Sequence, residues 1–236
     1  MEFEYHDVMD SIDPINQFLK EKRQSGNFSV IDIGAALSPW FRENCDVLFD
    51  YISPRQSYNC QFIRGDITTN DGWKEVLEYV DKNGKFDYAI CKQTIEDIHN
   101  PDFVCDMLTK ISKSGWIGVP SKYVEMRRGR YPKIPQTVGL CHHRWIFITK
   151  NNKLYMLPKM GWTDSMPESS FKFLGKYSKG QRIELGIHWE DSIELKHVLP
   201  FTAGFPDDYL DDFLSDCIQG TDHPMELWTN LLNESD

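Results

Sequence analysis

One glycine and two aspartates stand at spacings that suit recognition of a nucleoside. Gly34 follows the apolar run "SVIDI", Asp50 ends the run "DVLFD" 16 residues later, and Asp66 closes "FIRGD". Glycine lets a backbone turn tightly and approach a ligand closely. A carboxylate at the Asp50 position can accept both hydroxyls of a ribose, and Asp66 can accept the exocyclic amine of an adenine. An isolated aspartate after a strand is more often a cap or turn residue, so the interpretation depends on the order and spacing of all three.

These residues need a parallel sheet to bring them together. Between residues 10 and 120, apolar runs of strand length alternate with amphipathic runs of helical spacing. This alternation predicts an α/β fold, a doubly wound, Rossmann-like, mostly parallel sheet with helices on both faces. Ligands of such sheets bind beyond the carboxyl ends of the strands. The predicted strands are 27–34, 46–52, 60–66, 85–93 and 115–121, and the predicted helices are 11–24, 38–44, 70–84 and 100–112.

The alternation stops after residue 120, where a β-rich C-terminal extension or insertion is predicted. Residues 143–159 read as a hairpin with a turn at Asn151-Asn152, and residues 181–200 contain two further strands. Two amphipathic helices are expected after residue 205. We therefore predict a single domain over residues 1–236, made of a cofactor-binding half (10–121), a β-rich substrate-side segment (122–200) and C-terminal helices (205–236).

Composition limits the classes of function. The net charge is −10 and the sequence pI is about 5.2, so self-repulsion opposes general binding to the phosphate backbone of nucleic acids. No apolar run approaches the ~20 residues that a membrane span needs. None of the six cysteines forms a C-x-x-C pair, which suits buried free thiols in a reducing compartment. These features predict a cytoplasmic protein that acts on a small molecule, and they leave its oligomeric state open.

Nearly half of the chain resembles a known enzyme family. The segments "VIDIGAALSPW", "DVLFDYI", "FIRGDIT" and "KFDYAICKQTIEDIHNPDFVCDMLTKISKSGWIGVPSK" resemble the class I S-adenosylmethionine-dependent methyltransferases. "GAALSP" is similar to a first motif of the G-x-x-x-x-P type, and "EMRRG" with "GLCHHRW" resembles a segment of some members. The resemblance implies S-adenosylmethionine as the cofactor. It places Asp32 and Gly34 at the methionine end, Asp50 at the ribose, and Asp66 and Ile67 at the adenine, with Ala35, Tyr51, Cys91 and Gln93 as further cofactor contacts.

Two positions depart from the family pattern. Ala35 and Ala36 replace glycines, so the turn must avoid a positive φ there or bear strain of about 1 kcal/mol. The tripeptide "IED" at residues 95–97 replaces the usual "LEH". A single glycine argues against a nicotinamide dinucleotide, whose pyrophosphate needs a nest of backbone N–H groups. S-adenosylmethionine has no phosphate and is compatible with a one-glycine turn.

A basic, histidine-rich segment follows the last predicted parallel strand. Residues 121–144 hold six cations against one acid, Glu125. This excess of positive charge indicates either a solvated loop that balances the acidic C-terminal end or a site for an anionic substrate. Adjacent residues on a strand point apart, so His142 and His143 are not expected to chelate one metal ion together, and no metal site is predicted. We predict His142, His143 and Glu125 as the catalytic group, with one histidine as a general base. The alternatives are plain packing of one histidine under the hairpin, or a metal site that one histidine shares with Cys141, Glu125, His99 or His188.

The leading functional prediction is methylation of a hydroxyl on a small, sugar-like or anionic metabolite. One alternative is a methyltransferase-like scaffold without catalysis that serves as a binding or regulatory partner. Ala35, Ala36 and the missing "LEH" histidine favour this scaffold. A second alternative is an RNA or cap methyltransferase, which the basic segment favours and the net charge of −10 opposes.

Overall fold

The computed structural model describes residues 5–8, 12–35, 37, 40–125, 139–140, 142–150, 153–159 and 184–197. The chain divides into two compact units, the first comprising Met1–Val119 with Glu184–Glu194 and the second Pro120–Ile183 with Leu195–Asp236. The predicted C-terminal helices, the hairpin turn and most of the basic segment lie outside the described residues. The assignment of all 236 residues to a single domain stays a prediction.

The described chain contains ten strands and four α-helices. They are β1 (Tyr5–Val8), α1 (Ile12–Gln24), β2 (Val30–Ile33), β3 (Val47–Asp50), β4 (Gln61–Arg64), a 3-10 turn (Asp71–Trp73), α2 (Lys74–Asn83), β5 (Phe86–Lys92), α3 (Pro101–Ile111), β6 (Ser112–Pro120), α4 (Lys122–Glu125), β7 (Trp145–Lys150), β8 (Lys153–Pro158), β9 (Glu184–Glu190) and β10 (Leu195–His197).

The first unit is built on a seven-stranded sheet in the order β1-β9-β6-β5-β2-β3-β4. The five neighbouring strands β6, β5, β2, β3 and β4 pair in parallel, and β1 pairs with β9 in the antiparallel direction. The chain runs from β2 outward to β4, then returns to β5 on the other side of β2 and continues outward to β6. The predicted doubly wound, mostly parallel α/β fold is therefore confirmed.

Helices cover both faces of this sheet. On one face, Ile15 and Leu19 of α1 join a core cluster that includes Val30 and Tyr88, which are paired neighbours in β2 and β5. On the other face, Trp73 packs against Phe49 of β3 with ring centroids 4.8 Å apart. All four residues of β2 are buried, which explains why its sequence is apolar without alternation apart from one aspartate.

One predicted helix is wrong. Residues 38–44 were expected to form a helix, but the described residues Trp40–Asn44 form turns, closed by the Asn44 N–H donating to the Phe41 carbonyl at 2.8 Å. Phe41 is completely buried, and the Asn44 side chain donates to Asn16 Oδ1 at 2.7 Å. These two anchors hold the short segment against α1 in place of a regular helix. The remaining predicted strands and helices up to residue 121 are confirmed, with β6 starting three residues early.

Strand β1 was not predicted, because "YHDV" is short and has no clear polar and apolar alternation. In the second unit, β7 and β8 form the predicted antiparallel hairpin, with Lys150 opposite Lys153. Strand β10 adds to β8 in parallel.

Within the described part of the chain, no helix is long and apolar enough to cross a membrane. Cys45, Cys91 and Cys105 are buried free thiols, as expected, whereas the free Cys60 is half-buried.

Gly186 in β9 provides a test of the packing around the sheet. A Cβ at this position would overlap the indole of Trp116, which belongs to the core cluster. We expect Gly186→Ala to lower the free energy of unfolding by about 1–3 kcal/mol, because the indole or the strand must shift. Urea unfolding measures the change. Gly26→Ala is the matched control, because a Cβ there would meet nothing within 4 Å. Equal unfolding free energies for the two variants would contradict the packing described here.

Candidate functional site

The parallel strands end at a common edge of the sheet. Ile33, the last residue of β2, pairs with Phe49 of β3 and with Cys91 of β5. The segments that follow β2, β3 and β5 therefore start at the same level. Strands β3 and β4 are added on one side of β2, and β5 and β6 are added on the other side, so the order of strand addition reverses between β2 and β5. Ligands of doubly wound sheets bind at such a switch point. The predicted site residues that follow these strands are thus gathered at the carboxyl edge.

Gly34 makes the turn after β2. Its φ is +76°, and its N–H donates to the Phe49 carbonyl at 2.9 Å. A Cβ at this position would lie 2.5 Å from both Oγ1 and Cγ2 of Thr94, so packing as well as backbone conformation requires glycine. Ala35 is buried and does not have a positive φ, so of the two alternatives expected there the turn avoids the strain. Ala36 lies outside the described residues. A single glycine is therefore sufficient for the described part of the turn.

Asp32 is a buried carboxyl group just below this turn. It is 1% exposed, and neither side-chain oxygen has a hydrogen-bond partner within the part of the chain that the structure describes. Burial raises the pKa of Asp32 well above its usual value, the charge of Asp50 raises it further, and the nearby polar backbone of Ile33 offsets part of the shift. An unsatisfied buried carboxyl is costly to the folded state, and groups with such perturbed pKa values cluster at functional sites.

Asp50 and Asp66 both stabilise local turns. Asp50 Oδ1 accepts the backbone N–H of Ile52 at 2.9 Å. Asp66 Oδ1 accepts the hydroxyl of Thr68 at 2.6 Å and its backbone N–H at 2.9 Å, and these two bonds lower the pKa of Asp66. Both aspartates therefore have the turn-forming role that is usual for an aspartate after a strand. An ionised carboxylate offers about four acceptor sites, so a turn bond leaves capacity for a ligand.

Exposed apolar side chains accompany these carboxylates. Leu37 and Trp40 follow β2 with 55% and 38% exposure, and Tyr51 and Ile52 follow β3 with 61% and 46%. They are the large exposed hydrophobic residues of the described chain. The guanidinium of Arg64 lies 5.5 Å from the Tyr51 ring centroid. Exposed apolar side chains next to a few polar groups are typical of small-molecule sites.

The end of β5 carries a strained backbone. Gln93, the next residue, has a φ of 53°, and its N–H donates to the Gly118 carbonyl at 2.7 Å. A non-glycine residue in this region costs about 1–3 kcal/mol, and such residues cluster at functional sites. Two other predicted contacts are more enclosed. The thiol of Cys91 is completely buried, which leaves its backbone for any ligand contact, and Ile67 is 8% exposed.

A buried ion pair at this edge was missed by the sequence analysis. Lys92, the last residue of β5, pairs with Glu184 of β9, and both side chains are almost fully buried. A Cβ on Gly118 would overlap the Glu184 carboxylate, so this glycine makes room for the pair. The two charges are 92 residues apart in sequence, and no local pattern predicts their contact.

The second unit contains a buried network around Glu125. Glu125 Oε1 lies 2.6 Å from His143 Nδ1, and Glu125 Oε2 accepts from Lys159 Nζ, also at 2.6 Å. Lys159 Nζ donates in addition to the Leu140 carbonyl at 2.7 Å. Burial alone would raise the pKa of Glu125, but His143 and Lys159 outweigh it and the pKa is lowered. The structure thus brings Glu125 and His143 together, as the sequence suggested. The sequence analysis did not predict that Lys159 also belongs to this network.

The expectation that His142 and His143 point apart is wrong. Their rings contact edge to face, with centroids 4.5 Å apart and an interplanar angle of 84°. The expectation assumed strand geometry, but the pair precedes β7 and lies in a turn where the His143 N–H donates to the Leu140 carbonyl at 3.1 Å. Of the residues considered as metal partners, Cys141 lies outside the described residues, and His188 Nδ1 lies 3.0 Å from the Tyr88 hydroxyl in the first unit.

Comparisons with known proteins find similarity to solved structures. No protein-family profile and no curated protein matches the chain. The methyltransferase domain of bacterial CtHen1-C is 10% identical over 79% of this chain and 98% of its own, with a TM-score of 0.42. The plantazolicin methyltransferase BamL, solved with a triazolic desmethylPZN analogue and S-adenosylhomocysteine, is 11% identical over 77% and 85%, with a TM-score of 0.41. Magnesium protoporphyrin IX methyltransferase from Synechocystis, with bound S-adenosylhomocysteine, is 9% identical over 77% and 85%, with a TM-score of 0.39. The similarity concerns the fold alone.

The raised pKa of Asp32 predicts a pH-dependent stability effect. Below the unfolded pKa of about 3.9 the group is protonated in both states and carries no penalty. Above it, the unfolded chain ionises while the folded state holds the proton, so the folded state loses relative stability. We expect Asp32→Asn to stabilise the protein, with a gain in urea unfolding that grows as the pH rises above about 4. Asp81→Asn, at an exposed position of α2, is the control. A gain that is independent of pH would contradict the assignment.

The lowered pKa of Glu125 predicts the opposite trend. The ionised carboxylate stabilises the folded state above the unfolded pKa of about 4.3, and this contribution is lost as the pH falls through the lower folded value. We expect Glu125→Gln to lower the free energy of unfolding by about 1.5–3 kcal/mol near neutral pH, because bonds to charged partners are lost. Glu78→Gln, at an exposed position of α2, should change it by less than about 0.5 kcal/mol. Equal effects of the two variants in urea unfolding would show that the network adds no stability.

Proposed function

We propose that this protein is an S-adenosylmethionine-dependent methyltransferase that methylates a hydroxyl of a small, sugar-like or anionic molecule. The observation that carries the proposal is the buried Asp32 below the Gly34 turn, at the switch point of a doubly wound sheet. Within the described chain its oxygens have no hydrogen-bond partner, so a cationic or hydrogen-bond-donating ligand group would satisfy a costly carboxyl.

The charge at this edge favours this cofactor over a dinucleotide. Asp50 ends β3 and Asp66 follows β4, and their carboxylates would repel a pyrophosphate. S-adenosylmethionine carries a sulfonium and an ammonium group and no phosphate. The turn also offers one positive-φ glycine among its described residues, which is fewer than a pyrophosphate nest uses.

The cofactor would lie along the ends of the strands in the order that the sequence suggested. Asp32, Gly34 and Ala35 would hold the methionine end, and Asp50 would accept the ribose hydroxyls. Asp66 and Ile67 would contact the adenine, with the exposed ring of Tyr51 as an apolar surface beside it. The backbone of Cys91 and the residue Gln93 would lie under the cofactor.

Methyl transfer demands alignment more than acid–base chemistry. When bound, S-adenosylmethionine supplies an electrophilic methyl group on a sulfonium. We propose His143 as the base that accepts the proton of the acceptor hydroxyl. The contact of Glu125 with Nδ1 favours the tautomer with a proton on that nitrogen. Lys159 favours the ionised form of Glu125 and thereby maintains this orientation. His142, in ring contact with His143, is a further member of the proposed catalytic group.

The alternative of a non-catalytic scaffold is tested by the same cofactor site. The replacement of glycine by Ala35 favours the scaffold less than the sequence implied, because Ala35 does not have a positive φ. The "IED" tripeptide remains in its favour. Cofactor affinity separates the two functions more directly than any sequence feature.

Asp50 is the position at which we test cofactor binding. We expect the parent protein to bind S-adenosylmethionine and S-adenosylhomocysteine in calorimetric titrations. Asp50→Ala should weaken both by about 1–3 kcal/mol, because the ribose hydroxyls lose a charged acceptor. Asp81→Ala removes an equal charge from an exposed position of α2 and should leave the affinity unchanged. No binding to the folded parent protein at millimolar ligand would overturn the proposed function and favour the scaffold.

A further inference from the structure

A groove of about 920 Å³ opens beside α1 in the first unit. This volume is within the range of small-molecule sites. Its lining combines aromatic rings, side-chain amides and cations, and includes Gln17, Lys20, Trp40, Arg42, Asn44 and Tyr58. Leu37 and Trp40, which follow β2, belong to this lining, whereas Gly34 and the strand-end carboxylates do not. The groove therefore adjoins the strand-end site and differs from it in its polar residues.

Trp40 is held in position as an aromatic surface of this groove. The residue is 38% exposed, and its backbone carbonyl accepts from Asn16 Nδ2 at 3.2 Å. Lys92 Nζ lies 5.1 Å from the centroid of the ring. Lys92 is itself 6% exposed and paired with the buried Glu184, so a fixed cation supports the indole. An aromatic ring that is ordered before binding loses little entropy when a ligand stacks on it.

The polar lining is braced in the same way. Asn16 Oδ1 accepts from Asn44 Nδ2 at 2.7 Å, which ties α1 to the turn that carries Trp40. The Arg42 guanidinium lies 5.6 Å from the Tyr58 ring centroid. Lys20 and Arg42 bring two positive charges to a groove whose acidic lining residue is Glu43, in a chain with a net charge of −10. This local excess of positive charge favours an anionic ligand.

We infer that this groove binds a phosphorylated sugar. The apolar face of the sugar ring would stack on Trp40, and its hydroxyls would bond to the amides of Gln17 and Asn44 and to the Glu43 carboxylate. The phosphate would contact Lys20 and Arg42, where charge-assisted hydrogen bonds are strongest. A nucleotide-sugar carries the same anionic sugar unit and is the second source of this chemistry.

The role of this ligand as methyl acceptor rests on the proposed function. Trp40 lies against Lys92, the last residue of β5, so the groove reaches the carboxyl edge of the sheet. In the transfer, a sugar hydroxyl oxygen forms a bond to the methyl carbon while the carbon–sulfur bond breaks. The electron pair stays on the sulfur of S-adenosylhomocysteine, and the hydroxyl proton passes to a base.

The experiment follows the indole N–H of Trp40 in the ¹⁵N-labelled full chain. The chain has seven tryptophans, and Trp40→Phe identifies which indole signal belongs to Trp40. Glucose, galactose and mannose 1-phosphates and UDP-glucose are titrated separately, with glucose and inorganic phosphate as partial probes. We expect a saturable shift of the Trp40 signal with at least one phosphorylated sugar. Lys20→Gln and Arg42→Gln should each raise its Kd by about three- to tenfold, whereas Lys82→Gln, an exposed lysine of α2, should not.

The outcomes separate this inference from the proposed function. If glucose shifts the Trp40 signal as strongly as the phosphorylated sugars do, the inference that the ligand is anionic is wrong. If inorganic phosphate does so, the groove is only an anion site and the inference of a sugar is wrong. If none of the four phosphorylated probes shifts Trp40 while S-adenosylhomocysteine binds in calorimetry, the inference fails and the proposed function stands. If Trp40 responds but S-adenosylhomocysteine does not bind, the groove site stands and the proposed function fails.

Discussion

The parallel pairing of β2 with both β3 and β5 is the constraint on which the candidate site depends. Ile33 is level with Phe49 on one side and Cys91 on the other, so three chain segments leave the sheet at one height. A register shift of one residue in β2 would move Asp32 to the other face and displace Gly34 from Thr94. The buried apolar residues of β2 oppose such a shift, because they would have to exchange faces. Core packing therefore also positions the polar groups.

The polar groups at this edge come at a cost to stability. Asp32 is buried without a hydrogen-bond partner among the described residues, and Gln93 has an unfavourable φ. Neither feature improves the sheet, and an asparagine or a glycine would suit the isolated fold better. Local departures from the stablest choice cluster where a protein handles a ligand. The Lys92–Glu184 pair is different, since its charges satisfy each other and the Gly118 backbone gives them room.

Sequence reasoning recovered the parallel sheet because its strands are short, apolar and separated by amphipathic helices with clear ends. It also placed Gly34, Asp50 and Asp66 at one edge, which follows from strand order alone. It failed at Trp40–Asn44, where a buried Phe41 and a bond to Asn16 replace a helix with turns. It could not predict the ion pairs of Lys92 with Glu184 and of Lys159 with Glu125, because each pair joins distant segments and leaves no periodic pattern in the sequence. The neighbouring histidines were misread because strand geometry was assumed for a turn.

Strand β9 lies between β6 and β1 in the sheet, although it is made more than sixty residues after β6 and nearly at the opposite end of the described chain from β1. Of the strands in this sheet, β1 is the first to be synthesised, and its antiparallel partner does not exist until residues 184–190 have been made. At about 5–20 residues per second this delay lasts roughly 9–35 seconds. Strand β6 is complete at residue 120, so for about the last 3–14 seconds of this delay it presents an unpaired edge, which is a template for association with other chains. Nascent copies of this protein are therefore expected to be most prone to association just before β9 completes the sheet.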